Sequence, residues 1–184
     1  NPRKSYSILA DVAAGIKQIH ENARLNPQIY EGLKLKSTEY KGNILASYYI
    51  PFMSRSTFKL AVNAGYIDAP SLMLNDLYRI GGFTVLRGFD EQSIYASAYG
   101  VGTVEFHYLL EQNSFMFLFF DQGWYQKNIA GVATVEDRPY GFGLGMDFQT
   151  KAGIFSISYA LGKQFSNPIS FKEGKISFGI VNYF

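Results

Sequence analysis

The chain of 184 residues is 47% hydrophobic and only 17% charged, with 14 Tyr, 16 Phe and 18 Gly, a balance that excludes disorder because ample apolar surface is present to bury. A formal net charge of +2, with basic residues scattered, supplies no stripe for nucleic acid, and zero Cys removes disulfides, thiolate metal sites and thiol nucleophiles. No apolar run approaches the roughly 18 residues of a membrane helix, the longest being 115–120.

The opening Asn1-Pro2-Arg3-Lys4 has neither an initiator Met nor an apolar leader, so an upstream segment is expected to have been removed or left out. Alternation then predicts strands over 6–17 and about 43–50, separated by a long polar loop at 21–32 and followed by a tight turn at 51–54. In the next strand Phe58, Leu60, Val62, Ala64 and Tyr66 alternate with Thr57, Lys59, Ala61, Asn63 and Gly65. After the longest loop, 69–96, strands are expected at 101–110 and 115–125, joined tightly at 111–113; the second is apolar on both faces at its start. A loop at 128–137 precedes a faultless alternation of Tyr140, Phe142, Leu144, Met146 and Phe148 with Gly141, Gly143, Gly145, Asp147 and Gln149. Past a tight turn at 150–152, Phe155, Ile157, Tyr159 and Leu161 alternate with Ser156, Ser158, Ala160 and Gly162. The loop at 165–174 leads to a last strand with Ile176, Phe178, Ile180 and Phe184 on one face and Lys175, Ser177, Gly179, Val181 and Tyr183 on the other.

About eight strands result, each near the ten residues that cross a bilayer at a tilt, with short and long connections in alternation. A soluble sandwich or lipocalin-like barrel would also alternate. Two features favour an antiparallel transmembrane β-barrel instead: the faces opposite the apolar ones carry Gly, Ser, Asn and Gln more than Lys and Glu, and Tyr recurs near strand ends. With no long repeat and no linker, residues 1–184 read as one all-β domain.

The loop at 69–96 contains Arg79-Ile80-Gly81-Gly82-Phe83-Thr84-Val85-Leu86-Arg87-Gly88-Phe89-Asp90, too apolar for a mobile solvated segment. On composition alone, Phe83, Leu86 and Phe89 could form an extracellular minicore, with Gly81 and Gly82 in a positive-φ turn. Parity turns Glu105 inward where Val104, Phe106 and Tyr108 face lipid, and turns Asp121 inward where Leu118, Phe120 and Trp124 face lipid. Two inward acids on adjacent strands call for a cation, and Arg87 has the planar fork for it. Asp121 as a water-facing lumen residue is the plainer alternative.

The tip Leu86-Arg87-Gly88-Phe89 resembles the Arg-Gly-Phe motif on the sixth extracellular loop of the BamA/TamA-type outer-membrane assembly family, also called the bacterial surface antigen family. The resemblance implies that the loop folds inward and that Arg87 reaches Glu105, in Thr103-Val104-Glu105-Phe106, and Asp121, in Phe119-Phe120-Asp121-Gln122-Gly123, with Gly123 beside them on the inner wall. The opening Asn1-Pro2-Arg3-Lys4 is similar to the family's periplasmic turn before a strand. The carboxyl end resembles the terminal β-signal of barrel proteins, with Phe184 the closing aromatic. Gly174, Ile176, Phe178, Gly179 and Ile180 then belong to a seam strand whose pairing Gly174, Gly179 and Asn182 weaken. Eight strands would be the carboxyl half of a 16-stranded barrel, without the family's periplasmic polypeptide-transport repeats.

His20 and His107 lack ligand-spaced partners, no phosphate cradle or nucleophile elbow occurs, and Asp90-Glu91 and Glu136-Asp137 read as solvated loop charges. The expectation is therefore no enzyme, no metal and no cofactor. By resemblance, the chain inserts or translocates proteins through a lateral seam in the outer membrane of a Gram-negative bacterium. Its expected partners are outer-membrane lipids, client outer-membrane or secreted proteins, and a second barrel chain or a missing amino-terminal barrel half. The alternative is a free-standing eight-stranded barrel acting by dimerisation or as a structural or pore component.

Overall fold

The computed structural model describes residues 4–20, 26, 28, 32, 34–111, 113–150 and 153–181. Eight long strands form one antiparallel meander: β1 (Ser5–Gln18), β2 (Lys36–Met53), β3 (Ser56–Asp68), β6 (Ala98–Glu111), β7 (Ser114–Lys127), β9 (Tyr140–Thr150), β10 (Gly153–Lys163) and β11 (Lys175–Val181). Each pairs with the next along this path, so the tight connections fall at one end of the sheet and the long ones at the other. Three short strands were not legible as alternation: β4 (Tyr78–Ile80) and β5 (Ile94–Ala96) form a hairpin inside the longest loop, and β8 (Val135–Asp137) adds to the end of β7. Three residues are too few to display a period.

Other boundaries move as well. β2 runs well beyond 43–50 at both ends, and Pro51 lies within it, at an irregularity of register between Pro51 and Met53, leaving Ser54 and Arg55 as the turn. Proline is accepted there because a bulge spares it a ladder hydrogen bond. Gly174 is not in the last strand; it closes a 3-10 turn at Phe171–Glu173, just before β11. Phe184 and Asn182, like Asn1, Pro2 and Arg3, lie outside the described residues, as does most of the loop at 21–32.

The two faces of the sheet are distinct. Leu118 is 58% exposed, Leu144 53% and Phe178 75%, and Leu60, Val62, Val104, Phe120, Ile176 and Ile180 share their outward side. On the other side a cavity of about 540 Å³ is lined from Ser7 in β1 to Ile154 and Ser156 in β10, so the sheet curls around it. Outward Leu118, set within β7, gives a direct test of the surroundings. Leu118→Arg is expected to lower stability in lipid vesicles by about 2–4 kcal/mol if Leu118 faces the bilayer midplane, falling toward zero near an interface. Denaturant unfolding in vesicles reads the change; a water-facing surface position would tolerate it almost freely.

Candidate functional site: a loop locked onto the inner wall

The loop between β3 and β6 is packed from its root. Leu72 and Leu77 are buried against Ile67, and Asp76 accepts from the Met73 amide at 2.7 Å and pairs with Lys17 of β1. The β4–β5 hairpin then carries the tip inward, where Gly81 and Gly82 adopt φ of +104° and +101° and the Gly82 amide donates to the Leu86 carbonyl at 3.0 Å. Leu86 is fully buried in a cluster with Ile80, Ile94, Ala96, Tyr99, Val101 and Tyr125, against which Phe89 also packs. Phe83 does not join this cluster, and Leu86 and Phe89 pack with the wall residues Tyr99, Val101 and Tyr125, so the three do not form a separate extracellular minicore.

Burying Leu86 turns Arg87 toward the wall. Its Nε donates to Asp121 Oδ2 at 2.8 Å and its Nη2 to Asp121 Oδ1 at 2.6 Å, a bidentate fork, while Nη1 donates to Glu105 Oε1 at 2.6 Å. The Arg87 backbone amide adds a 3.1 Å bond to Asp121 Oδ2, and the Phe119 ring lies 3.6 Å from the guanidinium carbon. Charge-assisted bonds of this kind are about twice as strong as neutral ones, and a cation over a desolvated ring adds to them. Asp121 is 0% exposed, and Thr103 Oγ1 completes it at 2.8 Å.

Glu105 is shared more widely. Its second oxygen accepts from Lys59 Nζ at 3.2 Å and meets His107 Nε2 at 2.7 Å. His107 Nδ1, the other ring nitrogen, is buried without a partner among the described residues. Two carboxylates thus face two basic side chains, Arg87 from the loop and Lys59 from β3. Lys59, Thr103, His107 and Phe119 were missed from sequence because nothing in a single strand shows which inward residues become neighbours; only the register Lys59↔Glu105 and Thr103↔Asp121 does.

The same register reveals a floor for the loop. Thr103, Asp121, Gly141 and Gly162 form one row across β6, β7, β9 and β10. The Arg87 side chain points along the row to Asp121, and the loop backbone lies on the glycines. A Cβ at Gly141 would run into the Arg87 carbonyl oxygen, and one at Gly162 would stand 2.5 Å from the Gly88 carbonyl oxygen. Gly88 itself, at φ +92°, would press a Cβ to within 2.5 Å of the Leu161 carbonyl carbon. Gly123 lies one layer away, with its amide bonded to the Pro139 carbonyl at 2.7 Å and Leu86 over its face. The signal for this floor was present in the alternating glycines of β9, read only as a small face.

In β11, Ile176, Phe178 and Ile180 point outward, whereas Gly179 and Lys175 lie on the loop's side. Gly174 packs against the Tyr159 ring. The four acids expected to be solvated each have a partner: Asp90 pairs with Lys175 at 2.6 Å, Glu91 accepts from the Phe83 amide, Glu136 from Trp124 Nε1 and Asp137 from the Phe165 amide. Asp90, Glu91 and Glu136 are exposed as expected, whereas Asp137 is half-buried, and Glu136 and Asp137 lie in the short strand β8. Among the described residues, no group of three or more His, Cys, Asp or Glu side chains could hold a metal ion.

Compared with known protein families, residues 23–184 match the model of the Omp85 superfamily domain. Comparison with curated proteins gave no match.

Proposed function

Since the chain belongs to the Omp85 superfamily, we propose that it is the carboxyl-terminal part of a BamA/TamA-type barrel that inserts or translocates proteins at the outer membrane of a Gram-negative bacterium. The mechanism is exchange of backbone hydrogen bonds at a lateral seam, with no bond chemistry, metal or cofactor. The observation that carries this reading is the terminal strand. Among the described residues, β11 pairs with β10 over seven register positions, Ile154–Ala160 with Lys175–Val181, and has no second neighbour in the sheet, whereas β1 and β2 pair over fourteen.

In hydrocarbon an unpaired backbone group costs several kcal/mol, so such an edge favours any strand that can cover it. A client strand able to pair there would gain what the edge lacks. Further strands, from the rest of a longer polypeptide or from a second chain, complete the barrel. Two features support a wider lumen over a closed eight-stranded barrel. The interior of eight strands is just filled by side chains, yet here it also holds a loop whose Leu86 and Arg87 are buried. Inward-facing Leu9 and Leu45 also stay exposed, apolar surface that additional wall or loop would cover.

Site-specific photocrosslinking tests the proposal in the full-length protein within its own outer membrane. A photoreactive side chain at Phe178 is expected to capture outer-membrane proteins in transit. Correctly folded protein that yields no client adduct from the seam, while client assembly continues unchanged after its depletion, would overturn it.

A further inference from the structure

The loop reaches further across the sheet than its two acids. From Glu105 and Asp121 it passes over Gly141 and Gly162, and its tip arrives at β11, where it makes two contacts. The Phe83 ring lies over Gly179, where a Cβ would stand 3.3 Å from Phe83 Cε1. Asp90 Oδ1 accepts from Lys175 Nζ at 2.6 Å. Lys175 and Gly179 share one face of β11, four residues apart, so the two contacts span much of the strand's described length.

Phe83 is not free to leave by itself. Its amide donates to Glu91 Oε2 at 3.2 Å, it follows two positive-φ glycines, and the bond from Gly82 to Leu86 closes the turn that joins it to Arg87. Displacement of Arg87 from its acids therefore drags the ring off Gly179, and displacement of β11 removes the surface on which the ring rests. We propose that the loop is a strap that seats the terminal strand from inside the barrel, so that the Arg87 lock and the pairing of β11 with β10 open together.

The two contacts contribute differently. The Asp90–Lys175 pair is solvent-exposed and orients more than it holds. The ring on Gly179 is the steric part: a Cβ there would already press on it at 3.3 Å, and a larger side chain would have to displace it. As regulation of the seam, the idea rests on the functional reading above; the contact itself does not.

Hydrogen exchange of the full-length protein in lipid vesicles tests it without any client. Arg87→Ala touches no atom of β11, yet it is expected to speed exchange of the amides at 175–181 by about tenfold together with those at 81–90. Phe83→Ala, which leaves the Arg87 lock in place, is expected to speed 175–181 as well. Gly179→Leu is expected to release the loop, and adding Phe83→Ala to it to restore protection of 81–90. Fast exchange of 81–90 in Arg87→Ala with 175–181 unchanged would overturn the strap. Client insertion, assayed separately, can fail while this coupling holds, which would sink the functional reading alone.

Discussion

Arg87→Ala is expected to destabilise the docked loop by about 3–5 kcal/mol, the usual consequence of stripping one partner from a buried, hydrogen-bonded ion pair. The loss should fall unevenly on the two acids. Glu105 retains Lys59 and His107, whereas Asp121, wholly buried, retains the Thr103 hydroxyl and an amide that the loosened loop no longer holds in place. Asp121→Asn in the Arg87→Ala background should therefore recover more stability than Glu105→Gln in the same background. Denaturant unfolding in vesicles, with protease cleavage of the loop as a second reading, checks both statements. Asp90→Ala, by contrast, removes an exposed pair worth about 0–1 kcal/mol. Equal effects of Arg87→Ala and Asp90→Ala would contradict the inner-wall lock.

Gly88→Val should be as damaging while altering no charge. A β-branched residue at φ +92° is strained by about 1–3 kcal/mol, and the added side chain meets the β10 backbone at Leu161, a further overpacking penalty of about 1–3 kcal/mol. Gly131 provides the control: its φ is +75° but a Cβ there has nothing within 4 Å. Gly131→Val should therefore show the conformational strain alone. The difference between the two variants in vesicle unfolding isolates close approach of loop and sheet. If they matched, the loop would not be seated on the glycine row.

Most long strands are readable because they are wet or small on one side and apolar on the other, as in Tyr140 to Gln149; in β7, apolar on both faces at its start, Asp121 fixes the parity that sets it and Glu105 inward against outward Leu118 and Leu144. That Arg87 is set against these acids was readable only through the motif and the demand of two inward acids for a cation. Lys59, His107, Thr103 and Phe119 were hidden for a different reason. Their proximity depends on register between strands distant in sequence, and a one-residue slip would have moved each of them to the other face. Gly141 and Gly162 illustrate the same limit: their absence of side chains is visible in sequence, but the backbone lying over them is not. Asp90 reads as a solvated charge in sequence because its partner, Lys175, is 85 residues away at the far edge of the sheet.

The lock also bears on how such a loop could move. Lys59 and His107 remain on Glu105 when Arg87 departs, so half of the wall stays compensated, while Asp121 becomes the point that pulls the loop back. The energetic weight of docking thus rests on Asp121, and geometry at that carboxylate decides the account. Solid-state NMR of the full-length protein in bilayers, with ¹⁵N in the arginine guanidinium and ¹³C in the aspartate carboxylates, measures it directly. Strong short-range dipolar dephasing that disappears in Asp121→Asn is the predicted result; a guanidinium of Arg87 showing no carboxylate coupling in the native protein would contradict it.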